Sequence, residues 1–181
     1  MQNKLLKNDL YEPSEDTFFL SKYLENETGD DALDIGTGSG YLARILLSKF
    51  ANVVATDINF YALKSQNPKL PNCICCENAD ALRFQFDLIV CNMPYLPSKE
   101  ISDQTVDGGI EGIEVPLKII QSVKNCLKEN GSFLFLTSSL ANFEKLMEET
   151  KKLGFSVNTI ASKKLFFEEL ILVKAKKKNY S

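Results

Sequence analysis

The chain contains no histidine and no tryptophan, and its 181 residues include only 6 prolines and 9 glycines. Lacking imidazole, it has neither histidine acid–base catalysis nor a histidine-ligated metal, and no metal is expected. No stretch approaches the roughly 20 consecutive apolar residues of a membrane span. Residues 1–8 are polar, so no secretory leader is expected either. Five cysteines, an odd number, argue against a disulfide framework and for a reducing, cytoplasmic compartment. A charge excess is missing too: 21 Lys and Arg against 24 Asp and Glu leave a formal −3. That balance does not suit a protein held by phosphate backbones, so nucleic acid is an unexpected partner. What remains, 44% hydrophobic and 25% charged, is the composition of a globular domain able to bury a core.

Apolar runs alternate with amphipathic stretches from residue 31 onward, the pattern of βα units that build a mostly parallel sheet. Strands are predicted at 32–35, 52–57, 73–76, 86–91 and 132–136, with helices at 41–50 and 59–66, the second stopped by Pro68. Another helix spans 117–127, with Pro116 in its first turn and Asn130-Gly131 beyond its end. The next starts at Phe143 and is ended by Gly154. Residues 155–161 and 165–173 are strands with no helix between them, so they must pair as an antiparallel hairpin. Between 96 and 112 the pattern disappears into a glycine-rich polar loop, of the kind that covers sites. Residues 1–30 read as a helical lead-in and 174–181 as a flexible, solvated tail, all within one domain spanning 1–181.

Between the first strand and the first helix of this series lies Asp34-x-Gly36-x-Gly38-x-Gly40. Glycines at such a turn let a ligand approach backbone N–H groups at a positive helix terminus. A dinucleotide loop has Gly-x-Gly-x-x-Gly, and here the third glycine arrives one residue early. The spacing resembles the loop of class I S-adenosylmethionine-dependent methyltransferases. That resemblance implies a Rossmann-like, doubly wound, seven-stranded α/β sheet with an antiparallel last strand. It also implies that Asp34, Gly36, Gly38 and Gly40 hold the methionine part of S-adenosylmethionine. Asp57 and Asp80 then fit acceptors for the ribose hydroxyls and the adenine amino group, with Ile58 and Ala81 lining the adenosine pocket.

Asn92-Met93-Pro94-Tyr95 follows the fourth strand. It resembles the Asn-Pro-Pro-Tyr motif of methyltransferases that modify planar amide or amino nitrogens, departing from it at Met93. A planar nitrogen has a delocalised lone pair and gains from two acceptors, one for each N–H, as it pyramidalises toward the methyl group. The Asn92 oxygen would be one acceptor and a backbone carbonyl, that of Met93, the other. Pro94 holds the turn, and the face of Tyr95 would stack on the flat substrate beside a cationic methyl donor. Upstream, Tyr11-Glu12-Pro13-Ser14-Glu15-Asp16-Thr17 is similar to the opening of the HemK-related family that methylates a glutamine of class 1 translation release factors, in its archaeal and eukaryotic form. Asp107-Gly108-Gly109-x-x-Gly112-x-Glu114 is similar to its glycine-rich segment. The likeness implies that Thr17 contacts the cofactor. It further implies a heterodimer with a small zinc-binding activator protein, which adds a strand to an edge formed by residues 73–76.

Competing readings attach to the same residues. Adenine-amino methyltransferases of DNA or RNA share the tetrapeptide chemistry but usually carry a basic face or reading domain that this chain lacks. A catalytically weak scaffold would be compatible with Met93. A nicotinamide dehydrogenase is disfavoured by the glycine spacing. Cys73, Cys75 and Cys76 alternate faces of a strand and read as packing residues rather than metal ligands. Lys174, Lys176, Lys177 and Lys178 read as a solvated end.

Overall fold

The computed structural model describes residues 13–178. Helix α1 (Glu15–Leu24) leads into β1 (Gly29–Ile35), followed by α2 (Tyr41–Leu46), β2 (Phe50–Asp57), α3 (Phe60–Ser65) and β3 (Cys73–Cys75). Then come β4 (Phe86–Asn92), two short strands β5 (Leu96–Pro97) and β6 (Asp107–Gly109), and α4 (Glu114–Cys126). The chain finishes with β7 (Leu127–Ser138), α5 (Phe143–Lys152), β8 (Phe155–Lys164) and β9 (Glu169–Lys177). Seven strands form one sheet in the order β3-β2-β1-β4-β7-β9-β8, and β5 pairs with β6 separately. All neighbours in the large sheet are parallel except β9, which is antiparallel to both β7 and β8. This is the doubly wound sheet with an antiparallel last strand.

Central strands carry near-continuous apolar runs because both of their faces are covered. From Ala32 to Ile35 β1 is buried throughout, and Leu88, Ile89, Val90, Phe133, Leu134, Phe135 and Leu136 are 2% exposed or less. Leu20, Leu24, Leu46, Ile120 and Leu146 pack onto them from the helices, each fully buried. The strand register then positions the polar residues at the strand ends. Ile35 pairs with both Thr56 and Cys91, so Gly36, Asp57 and Asn92 leave the sheet side by side at its carboxyl end.

Several sequence expectations need correction. Among the described residues the helical lead-in is α1, and Gly29 already belongs to β1, where it pairs with Phe50. For the same reason Phe50 opens β2 instead of closing a helix. Lys174, Lys176 and Lys177 are not tail: their backbones pair with Asn158, Ser156 and Phe155. Lys174 also reaches Glu27 at 2.7 Å, and Lys177 reaches Glu129 at 3.3 Å. The segment 96–112 is not patternless, because it folds back as the β5–β6 pair. Cys76 lies just past β3. Met1 to Glu12 lie outside the described residues, as do Asn179, Tyr180 and Ser181. No helix among the described residues is long and apolar enough to cross a membrane.

Candidate active site

A cavity of about 420 Å³ opens at the carboxyl ends of β1, β2 and β4, a size suited to a small-molecule ligand. Gly36, Gly38, Asp57, Ile58, Thr17, Asn92 and Pro94 line it, together with Thr56, Glu77, Asn78 and residues 101–105. At Gly36, φ is +69°, and a Cβ added there would meet nothing within 4 Å. Here the loop runs as bare backbone along open space.

Asp34 and Asp57 hold this loop. Asp34, 1% exposed, accepts from Thr37 Oγ1 at 2.7 Å and from Ala43 N at 3.0 Å, both through Oδ2. Its other oxygen is buried with no hydrogen-bond partner among the described residues, and so is Thr56 Oγ1. Burial pushes the Asp34 carboxyl up to about 7, against the two hydrogen bonds that lower it, and the nearby Asp57 carboxylate adds to the rise. Asp57 accepts from Gly38 N and Asn59 N, each at 2.8 Å, yet burial still raises its pKa above the ordinary carboxylate value. On the cavity wall itself Asp57, Glu77, Asp103 and Asp107 stand against Lys118, a lining suited to a ligand bearing positive charge.

The start of α1 meets the end of β4 across 75 residues of chain. Asn92 Nδ2 donates to Thr17 Oγ1 at 3.3 Å, while Thr17 N donates to Asp16 Oδ1 at 2.6 Å. This joins the two motifs, at Thr17 and at Asn92, on one wall of the cavity. Tyr11 and Glu12 of the opening lie outside the described residues.

Other expected site residues are placed elsewhere. Asp80 does not line the cavity; its Oδ1 accepts from Ser122 Oγ at 2.5 Å and pins the loop to α4. Glu77 and Asn78 stand at the wall in its place, and Ala81 is also away from it. Asn78 turns the chain there in the left-handed region, the one described non-glycine residue with positive φ, +49°. Gly40 sits behind the loop as the α2 N-cap, with Leu70, Arg44 and Gln66 against the space of its absent Cβ. Asp34 acts from beneath the loop rather than on the cavity surface. Met93 is 2% exposed and packs in the core, and Tyr95, 9% exposed, is buried and does not face the cavity for stacking.

Sequence reasoning missed how the glycine-rich segment grips the tetrapeptide. A Cβ on Gly108 would come within 2.8 Å of the Pro94 carbonyl oxygen, and one on Gly112 would run into that of Tyr95. Leu96 N donates to Val106 O, and Ser98 N to Gly109 O, both at 2.8 Å. Asp107 ties the segment's other end by accepting from Ser102 N and Asp103 N. The glycines therefore form a clasp behind residues 94–98, and the 101–105 stretch becomes cavity wall.

The chain matches the methyltransferase small domain family over residues 14–166. It is 36% identical to a Methanocaldococcus jannaschii protein named as a putative protein N5-glutamine methyltransferase, over 94% of this chain and 93% of that one. Human methyltransferase HEMK2 is 28% identical, with 92% and 89% covered. Among solved structures, the E. cuniculi Mtq2–Trm112 complex, described as responsible for methylating the eRF1 translation termination factor, aligns with a TM-score of 0.80 at 25% identity, covering 93% of this chain and 98% of that one. With its cavity, glycine loop and clasped Asn92 turn, the chain belongs to the methyltransferase small domain family, in its HemK-related glutamine N5-methyltransferase branch.

Proposed function

We propose that this chain transfers a methyl group from S-adenosylmethionine to the side-chain amide nitrogen of a glutamine in a class 1 translation release factor. The observation that carries this is the register: Gly36, Asp57 and Asn92 lie on three adjacent strand ends around one cavity, with Thr17 bonded to Asn92. The cofactor fits the residues present. Bare loop backbone at Gly36, the orphaned Oγ1 of Thr56, and the wall acids Asp57 and Glu77 suit a polar, cationic ligand. In this reading Gly36 and Gly38 face the methionine part, Asp57 accepts from the ribose hydroxyls, and Ile58 covers the adenosine. Glu77 and Asn78 take the adenine contact first expected of Asp80.

When bound, S-adenosylmethionine supplies a methyl group activated by its sulfonium. Asn92 accepts one amide N–H through its side-chain oxygen, and the Met93 carbonyl accepts the other, which favours a pyramidal nitrogen. These two acceptors would hold the nitrogen in line with that methyl group, and the proton it sheds on transfer would leave to water. Orientation supplies most of the acceleration. Burial of Met93 and the glycine clasp replace the rigidity that a second proline would give the turn.

The Mtq2 structure is of a complex with Trm112. For this chain we infer a small activator partner, zinc-binding as the family resemblance implies, that adds a strand to β3. Among the described residues that strand pairs only with β2, and Ile74, Cys75 and the nearby Ile58 and Phe60 are exposed.

The test is incubation with methyl-labelled S-adenosylmethionine and a class 1 release factor, followed by mass-spectrometric location of the methyl group. Asn92→Ala should lose turnover by at least about a hundredfold with cofactor affinity within a few fold, since its contact is made chiefly in the transition state. In a parallel incubation with DNA and RNA, label on adenine would favour the nucleic-acid reading, and cofactor binding without transfer to any substrate the scaffold reading.

A further inference from the structure

The connection between β8 and β9 breaks a local rule at no gain to the fold. Lys164 pairs with Glu169, and Leu165 N donates to Glu168 O at 2.8 Å, so the hairpin turns over Phe166 and Phe167. Turn tips of this kind favour Gly, Asn, Asp, Pro or Ser. Here the two rings meet each other edge to face at 4.6 Å and stay 92% and 85% exposed, the most exposed large apolar side chains among the described residues. The two rings make an exposed apolar pair, flanked in the hairpin by Lys163, Lys164, Glu168 and Glu169.

We propose that the Phe166-Phe167 tip anchors the folded protein that carries the acceptor glutamine, an assignment that rests on the methyltransferase reading above. Its position argues for this occupant. Asn92 pairs with Leu136 and Leu136 with Leu172, so one rung of the sheet links the tetrapeptide to β9. From that rung β9 runs back through Ile171 and Leu170 to the tip, at the same end of the sheet as the cavity. Strand spacing and rise place the tip on the order of 20 Å from Asn92. A partner patch of standard size, about 800 Å² on each side, is roughly 30 Å across and covers both.

The hairpin is also held toward the cavity mouth. Lys163 pairs with Glu15 at 3.6 Å, two residues before the cavity-lining Thr17. Ser139 N donates to Glu169 O, and Glu169 N to Ser139 Oγ, both at 2.9 Å. A pre-ordered tip loses little freedom on docking, and aromatic anchors dominate protein interfaces. Lys163 and Lys164 are offset by Glu15, Glu168 and Glu169, so the face has no basic excess to draw it to an anionic lipid surface.

The experiment compares the wild-type chain with Phe166→Ser/Phe167→Ser. It measures binding to immobilised release factor, KM and kcat with the intact factor, turnover of a short peptide containing the glutamine, and cofactor affinity. Sedimentation with phosphatidylcholine–phosphatidylserine vesicles and light scattering accompany them. The double variant should bind the intact factor about ten- to a hundredfold more weakly and raise its KM equally. Its kcat, peptide turnover, cofactor affinity and melting temperature should match wild type. Unchanged affinity and KM for the intact factor overturn the proposal, as does loss of vesicle binding or self-association without that change. If the wild-type chain binds the factor through the tip and transfers no methyl, docking stands and the catalytic reading falls. If it methylates and the variant does so with the same KM, docking falls and the catalytic reading stands. If it neither binds nor methylates the factor, both fall.

Discussion

Asp34 shows how one residue can organise a site without lining it. Its carboxyl is buried under the glycine loop, receives Thr37 and Ala43, and has a pKa of about 7 because burial outweighs those bonds. A raised carboxyl pKa means that the folded state binds the proton more tightly than the unfolded chain. The associated stability is fully present below about 4 and is lost as pH rises through about 7. Asp34→Asn keeps an acceptor for Thr37 and Ala43 but cannot ionise. Its melting temperature relative to wild type should therefore climb as pH rises from about 4 to about 7 and level off above, in the cofactor-free protein. A difference independent of pH would show that Asp34 titrates at its ordinary value.

At the scale of elements, the clasp of β5, β6 and the glycine turn decides where residues 94–98 sit. Gly112 has φ +72°, and its missing Cβ leaves room for the Tyr95 carbonyl. Gly112→Ala must strain the backbone and displace the tetrapeptide through its contact with the Tyr95 carbonyl. It should lower kcat about tenfold or more while cofactor affinity changes little. Gly154→Ala is the control: φ is +96°, but its nearest neighbours, Lys124 atoms, are 3.7 Å away or more. It should cost about 1 kcal/mol of stability and leave kcat unchanged. Equal losses in both variants, read from steady-state kinetics and denaturant melts, would reduce the clasp to general backbone strain. The sequence marked the 96–112 segment as functional by its loss of periodicity, but the pairing of Val106 and Gly109 with Leu96 and Ser98 within it follows no periodic pattern.

The whole molecule ends in two unlike edges. On one side β8 presents the aromatic hairpin; on the other β3 offers three residues with no charge and no proline to discourage pairing. Ile74→Asp puts a charge on that second edge, where the side chain is 36% exposed. It should abolish association with the activator, measured by light scattering of the mixture, and leave cofactor affinity intact. Self-association of the chain through β3, lost in the same variant, would instead assign the edge to a homodimer.

From the order of its apolar runs alone, the sequence determined the parallel sheet, the antiparallel hairpin at its end and the glycine loop between β1 and α2. These follow from local periodicity and from backbone conformations that only glycine adopts easily. It also marked Asp57 and Asn92, because a polar residue at the end of a buried strand must emerge at the sheet's edge. Only the tertiary structure decided which of the marked residues share the cavity. Strand register brought Gly36, Asp57 and Asn92 together, and the fold of 101–112 closed the wall in front of them. Asp80 went to Ser122 and Tyr95 into the interior, while Glu77 and Asn78 came forward. Residue type and spacing set what a side chain can do; the packing of segments far apart in the chain sets what it faces.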